Sequence, residues 1–406
     1  MELYNDLLKC EENLKEQFSR LDKIAFDNQK KVLSAFQKYK VSTRHFAGTT
    51  GYGYGDIGRE CLNNVFADIV GAEKAIATPL ITCGTHALWV ALFGLLRPHD
   101  VVLSITGSVY DTMTENIKGT KEDIGSLKDY LIKYEEVELL NGKIDYETSK
   151  KKIKKLKPKL VYIQRSRGYS SRDAFSVSDI EKAVEMVRSV SSDCFIMVDN
   201  CYGEFVEEKE PTEVGVDVIV GSLIKNGGAG LAPTGAYIAG TQRAISLIEK
   251  RLTCPSLGSE TGSFEQGYRL FYEGLFLAPH TTIQAIKGAY LVGEVMKSRG
   301  YKVVPDSDQN CYDIIKSVVF NTDEELIKFV QLVQKNSPID SDAVPMPWDM
   351  PGYDDPVIMA AGTFVSGASI ELSCDSPIRK PYIAYFQGGL TYEHIKCLCL
   401  DLLKNF

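Results

Sequence analysis

The sequence predicts an α/β fold, with a large domain built on a mainly parallel sheet and a smaller α+β domain appended to it. Two observations carry that expectation. From about residue 56 to 240, short apolar runs alternate with segments of helical apolar spacing, as in strands buried on both faces and joined by crossover helices. After Gly300 the texture changes to short strands, a helix, a proline-rich loop and a closing helix.

In chain order, the first 40 residues are expected to be helical, because Leu14, Phe18, Leu21, Ile24, Val32 and Phe36 recur at roughly helical spacing. A glycine-rich stretch, AGTTGYGYGDIGRE, interrupts them. Helices are then expected near 57–70, 85–96 and 178–190, with strands at VVLSI, LVYIQ, FIMVD, DVIVGS and GAYIAG. The lysine-rich SKKKIKKLKPK at 149–159 reads as the solvated face of a helix ahead of LVYIQ. Past Gly240, TQRAISLIEKRL and a stretch from about 281 to 298 are helical in pattern. YKVV and DIIKSVVF read as strands, 323–335 as a helix, PMPWDMPGYDDP as a loop, and the segment from Tyr392 as the last helix. Residues 1–50 are assigned to a helical segment joining the small domain, 51–300 to the large domain and 301–406 to the small one.

Composition bounds what such a chain does. With 406 residues, 44% of them hydrophobic, it is long enough for two sizeable cores. A formal net charge of −8 argues against nucleic acid or an anionic membrane as the main partner. The opening MELYNDLLKCEENLKEQF is amphipathic and acidic rather than signal-like, and no apolar run approaches the ~18 residues of a membrane helix. Ten scattered cysteines fit reduced thiols in a cytoplasm, and five dispersed histidines give no zinc spacing, so no metal is expected.

The chemistry concentrates between residues 194 and 240. CFIMVDNCYGEFVE places Asp199 at the end of one apolar run, and VIVGSLIKNGGAGLAPTGAYIAG places Lys225 just past another. Ligands of open α/β sheets collect at the carboxyl ends of such strands. An acid and a lysine there suit pyridoxal phosphate, which acts as an electron sink when its ring nitrogen stays protonated and its aldehyde is held by an amine. Taken singly, Asp199 also reads as a turn cap and Lys225 as a strand exit.

Other segments offer the remaining contacts. In ITCGTHALWVALFGLL, Gly84 and Thr85 start an apolar-periodic helix whose free N–H groups and dipole favour a phosphate; His86 beside them reads as a satisfied helix residue. Ser222, three residues before Lys225, adds a hydroxyl. Tyr110 follows VVLSI and is placed to stack on a ring or donate a proton, while Gln164 and Ser166 end LVYIQRS within reach of a ring oxygen, O3′. The segment GYGDIG formally matches a dinucleotide fingerprint through Gly53, Gly55 and Gly58, but what precedes it is polar and turn-rich rather than a strand. It reads instead as a loop whose Tyr52, Tyr54 and Arg59 reach a phosphate or a neighbouring subunit, or as a plain turn. Arg379 is a candidate for gripping a substrate carboxylate, with an ordinary surface arginine as its alternative.

Taken in order, GxGxGD…R, CGTHA, VYDT, QRSRGYS, VDNCYGEF, GSLIKNGGAG and SIELSCDSPIR span residues 48 to 380. The chain thereby resembles the methionine gamma-lyase-related family, whose members are labelled candidate cystathionine beta-lyases or aluminium-resistance proteins. The resemblance implies the aminotransferase-like fold, with a seven-stranded, mainly parallel sheet, a small domain from both chain ends, and active sites at the interface of a homodimer or homotetramer. It implies that pyridoxal 5'-phosphate is bound covalently to Lys225, pairs with Asp199 and stacks on Tyr110. Gly84, Thr85 and Ser222, with Tyr54 and Arg59, would take the phosphate, and Arg379 the substrate carboxylate. Two departures stand out: Ile224 replaces the threonine of the better-characterised Ser-x-Thr-Lys, and the partner's Tyr-x-Arg has no clean counterpart.

The activity expected is carbon–sulfur lysis of a sulfur amino acid such as cystathionine or methionine, by beta- or gamma-elimination. Lys225, its pKa lowered by cationic surroundings, takes the Cα proton and a thiolate leaves. A pyridoxal phosphate-dependent aminotransferase or aldolase stands as the alternative. A nucleotide-dependent oxidoreductase using GYGDIG and an idle, ligand-binding relative are the readings from other classes.

Overall fold

The computed structural model describes residues 2–119, 125–170, 172–350 and 355–406. The amphipathic N-terminal region forms α1 (Glu2–Asn13) and α2 (Lys15–Lys38), broken at Leu14. After the glycine-rich loop comes α3 (Ile57–Ile69), capped by Asp56, whose carboxylate accepts from the Arg59 N–H at 2.9 Å. No strand precedes that loop among the described residues, since β1 (Lys74–Thr78) comes after α3. GYGDIG therefore does not join a strand to a helix, and the dinucleotide reading loses its structural basis.

The alternation then runs α4 (Gly84–Leu95), β2 (Val101–Ser104), α5 (Asp111–Lys118), β3 (Lys133–Glu136), α6 (Tyr146–Leu156), β4 (Leu160–Gln164), α7 (Val177–Arg188), β5 (Phe195–Asp199), β6 (Val218–Ser222), β7 (Ala236–Gly240) and α8 (Gln242–Ile248). These seven strands form one sheet in the order β1-β7-β6-β5-β4-β2-β3. Strand β7 runs antiparallel to both neighbours and the other pairs are parallel. Burial on both faces explains the unbroken apolar runs. Ile196 and Val198 of β5 enter one core while Phe195 and Met197 enter the other.

Helix α9 (Arg269–Ser298) begins twelve residues before the helical pattern expected from 281, running through Pro279. It leads to β8 (Lys302–Val304), β9 (Ile315–Phe320), α10 (Asp323–Lys335), β10 (Val357–Ala360), β11 (Ser373–Pro377), β12 (Tyr382–Gln387) and α11 (Tyr392–Asn405). The second sheet is antiparallel, in the order β10-β11-β12-β9-β8. One of its faces shares a core with α9, α10 and α11, and with Leu7, Leu14 and Leu21 from the start of the chain.

Two packing features hold the edge of the large sheet where β5 and β6 end. Gly274 of α9 lies against the loop after Lys225, so close that a Cβ there would sit 2.4 Å from the Gly228 carbonyl oxygen. Beneath the same edge, the Tyr237 hydroxyl donates to Glu204 at 2.7 Å, while the second Glu204 oxygen is buried with no partner. Burial pushes the Glu204 carboxyl up to about 8, opposed by the Tyr237 hydrogen bond and reinforced by the Glu210 charge. At neutral pH it is a neutral acid.

Gly274→Ala should therefore lower the unfolding free energy by about 1–3 kcal/mol, as overpacking against backbone does, seen as a lower urea midpoint. For Glu204, the folded pKa lies above the unfolded one of 4.5, so its stabilising contribution is complete below the unfolded value and is lost as pH rises through about 8. Unfolding midpoints of the wild type should fall across that window relative to Glu204→Gln, by the equivalent of roughly 1–3 kcal/mol; parallel curves would show that Glu204 does not titrate there.

Candidate active site

Strands β5 and β6 are adjacent and parallel, so their carboxyl ends open on the same edge. Asp199 closes one and Lys225 lies three residues past the other. Both line a cavity of about 370 Å³, at the lower end of the roughly 300–1,000 Å³ usual for small-molecule sites. In the neighbouring pair, Gln164 of β4 is in register with Asp199. The start of α4 supplies Cys83, Gly84 and Thr85, and Ser366 and Gly367 arrive from the tail between β10 and β11.

The electrostatics follow from burial. Desolvation raises the Asp199 carboxyl, and the nearby Lys225 charge and the Cys201 backbone N–H, at 3.1 Å, work against that. The Tyr162 hydroxyl also donates to Asp199, at 3.3 Å. A buried carboxylate of this kind calls for a cation beside it. Burial works against the Lys225 ammonium in turn, yet Cys201, Tyr202 and Asp199 outweigh it and lift the lysine above its ordinary value. Its Nζ lies 4.1 Å from the centre of the Tyr202 ring. The expectation of a lysine depressed by cationic surroundings is thus corrected, because the groups around Lys225 are a carboxyl, a phenol and a thiol. Tyr202 itself adopts a left-handed φ of 70°, a conformation that costs a non-glycine residue of order 1 kcal/mol or more and concentrates at functional sites.

The other candidates divide. Gly84, Thr85 and Ser222 meet at one end: a Cβ on Gly84 would lie 3.1 Å from the Cys201 sulfur and 3.5 Å from the Ser222 Cβ. No side chain caps the start of α4, so its first N–H groups face that space. His86 Nδ1 accepts from the Thr82 N–H at 3.2 Å, the local role foreseen for it. Tyr110 lines the cavity, its ring 6.1 Å from that of Tyr169. Gln164 donates to the Ser166 carbonyl at 3.3 Å while its Oε1 is buried without a partner. Ser166 lines the cavity too, but its hydroxyl donates to Asp313 at 3.2 Å, so a ring oxygen does not have that proton to itself.

Three candidates fall outside the cavity of their own chain. Arg379 has a side chain 52% exposed and pairs with Asp355 at 3.0 Å, so it does not face the space a substrate carboxylate would fill. Arg59 is buried and spends its guanidinium on the carbonyls of Gly53, Glu260 and Gly262. Through these contacts it fastens the glycine-rich loop. Tyr54 is 61% exposed and stacks on Tyr52, itself 67% exposed, with ring centres 5.4 Å apart.

Several cavity residues had no separate place in the sequence pattern. Cys201 and Tyr202 follow Asp199 directly and were visible as neighbours. Ser366 and Gly367 gave no signal, because they come from a small polar loop some 140 residues past Lys225. That loop is held by Glu371, which accepts from the Phe364 and Val365 N–H groups at 2.8 and 3.0 Å. A larger groove of about 930 Å³ near Arg172 lies elsewhere, and that guanidinium is already occupied by the Gln164, Arg165, Ser166 and Asp173 carbonyls. Among the described residues no cluster of His, Cys, Asp and Glu is arranged for a metal ion, and no helix is long and apolar enough to cross a membrane.

The residues present fit pyridoxal phosphate on the chemistry of the donor set: an uncapped helix start with two hydroxyls at one end, an anion in the middle, an amine across from it, and an unpaired amide oxygen at the side. A structure from Clostridium acetobutylicum, described as a candidate cystathionine beta-lyase involved in aluminum resistance, is 45% identical with a TM-score of 0.97, covering 100% of this chain and 95% of its own. A carbon-sulfur lyase involved in aluminum resistance from Clostridium novyi is 46% identical, with a TM-score of 0.95 over 100% of this chain and 96% of its own. The pyridoxal-5'-phosphate dependent protein YhfS of Escherichia coli shares the fold at 16% identity, with a TM-score of 0.63 over 96% of each chain. The model of the methionine gamma-lyase family matches residues 4–406, and with the geometry above this establishes that the chain belongs to that family.

Proposed function

We propose that the protein is a pyridoxal phosphate-dependent carbon–sulfur lyase acting on a sulfur-containing amino acid such as cystathionine or methionine. The observation that carries this is the opening of Asp199, Lys225 and the uncapped start of α4 on one cavity. Lys225 would hold the cofactor, Asp199 its ring nitrogen, Gly84, Thr85 and Ser222 its phosphate, and Gln164 its ring oxygen, with Tyr110 against the ring face. Bound there, pyridoxal phosphate supplies an electron sink for charge that develops at the Cα of an amino acid.

The chain's own part is proton handling and exclusion of water. Lys225 Nζ, as a neutral amine, is the base available for the Cα proton, and surroundings that favour the ammonium make that transfer favourable. Asp199 supplies a desolvated anion opposite, which keeps a ring nitrogen protonated. Tyr110, just before α5, lines the cavity and would offer its hydroxyl to a departing sulfur. The exposed Tyr52–Tyr54 stack, fixed from behind by Arg59, supports a homodimer or homotetramer in which Tyr54 serves the partner's site. Ten free cysteines support a reducing cytoplasm.

Supplied with pyridoxal phosphate, the purified protein should turn yellow, and borohydride should fix the label on Lys225. With cystathionine, methionine or cysteine it should release ammonia, and a thiol or sulfide, without an added keto acid; a requirement for a keto-acid acceptor would make it an aminotransferase. Lys225→Ala should abolish turnover and keep a native circular dichroism spectrum. Lyase activity surviving in that variant refutes the assignment.

A further inference from the structure

The face of the small sheet opposite its helices packs against the loops after β4 and β5, beside the site. Alternate residues of β9 and β12, Ile315, Ile383 and Tyr385, form a small apolar cluster there, packed against Tyr169 and Tyr202 from the loops after β4 and β5. Tyr202 lines the cavity, and Tyr169 has its ring 5.2 Å from Tyr385 and 6.1 Å from the cavity residue Tyr110. On this apolar face β11 places one carboxylate. Asp375 is paired with Tyr385 across β11 and β12, so both side chains emerge on the same side.

Asp375 is half-buried and held by its neighbours. Gln387 donates to it at 3.0 Å, Tyr169 hydrogen-bonds it, and the Lys225 charge acts on it. Ser373, two residues earlier on the same face, is 5% exposed, and its hydroxyl has no partner. A half-buried carboxylate with a buried, unpaired hydroxyl beside it, just outside the residues that line the cavity, suits a group with several N–H donors. Lys225 is the one cation among the described residues lining the cavity, and in the proposed function the cofactor claims it.

From this geometry we infer that Asp375, with Ser373, forms a subsite for a positively charged, ammonium-bearing end of the substituent on the substrate's sulfur. The inference rests on the proposed lyase site and specifies the substrate class: thioether amino acids with a distal ammonium, favoured over neutral or acidic ones. A distal carboxylate would meet Asp375 as a like charge, and a distal methyl would offer it no countercharge.

The test compares ligands differing in that one group. L-Lysine and L-norleucine, neither of which has a bond to sulfur, are titrated calorimetrically into the holoenzyme, and S-(2-aminoethyl)-L-cysteine and S-propyl-L-cysteine are assayed for thiol release. The wild type should prefer the ammonium member of each pair by about tenfold, as for a charge-assisted hydrogen bond worth ~1.4 kcal/mol. Asp375→Asn should bring the preference within about twofold while norleucine affinity and the cofactor absorbance hold, and Asp375→Glu should retain part of it. A wild type without preference, or a preference unchanged in Asp375→Asn, overturns the subsite. Thiol release from both cysteines without preference overturns the subsite alone. An Asp375-dependent binding preference without thiol release supports the subsite and overturns the lyase assignment.

Discussion

The arrangement depends on a buried carboxylate and a buried amine held at the ends of two adjacent parallel strands. Taking either charge out of water alone costs several kcal/mol, so Asp199 and Lys225 are tolerable in one cavity only because each moderates the other. Parallel pairing makes the juxtaposition automatic: once Asp199 is in register with Val220 of β6, the chain leaving β6 must pass the carboxylate within a few residues. Pyridoxal phosphate, whose ring nitrogen is positive and whose aldehyde reacts with an amine, would be held by both groups, and the desolvation that penalises the pair would strengthen its electrostatics toward such a ring.

Holding that edge still falls to groups that touch neither charge. The loop after β4 carries three buried arginines. Arg165 bonds Asn200, the Gly203 carbonyl and Glu207, Arg172 takes the carbonyls of its own loop, and Arg167 pairs with Asp313 from the small domain. Asp313 also receives the Ser166 hydroxyl, so one carboxylate ties the cavity wall to the second sheet. Removing one partner of such a pair strands a buried charge at about 3–5 kcal/mol. The small domain is thereby keyed to the active-site loop by polar contacts of fixed geometry, whereas an apolar contact alone would tolerate sliding.

Burial on both faces made β4, β5, β6 and β7 readable in the sequence, because each had to be apolar throughout. The edge strand β3, KYEE, alternates exposed and half-buried positions, and β1, KAIAT, is short and alanine-rich; neither stands out from a loop. Strands β10, β11 and β12 were also unseen. β11 reads SCDSP and takes its burial from sheet partners and helices distant in sequence. The opposite failure befell α9, which is buried nearly all round from Thr281 to Met296, so that periodicity could not mark its start and Pro279 resembled a boundary. At the site, Asp199, Lys225, Gly84, Thr85 and Ser222 were readable because they sit at element ends, where pattern changes. The partners of Arg379 and Arg59 were not legible in the sequence because a guanidinium's partners are set by tertiary structure; here they are Asp355 and three carbonyls.

The same asymmetry explains why the cofactor is easier to infer than the substrate. Every group assigned to the cofactor comes from strand ends or a helix start of the large domain, positions dictated by the parallel sheet. The substrate side is composed across domains, by Ser366 and Gly367 on a loop clamped by Glu371, by the Tyr169–Tyr110 contact, and by Asp375 on a strand whose polar sequence conceals it. With Arg379 turned to Asp355, the charge inventory of that side is anionic among the described residues, where Lys225 is the cation acting on Asp375. Specificity in such a site arises from which charge the tail domain presents to the far end of the substrate, because a charge-assisted hydrogen bond there adds to the ~1–3 kcal/mol a single methylene can contribute in an apolar pocket.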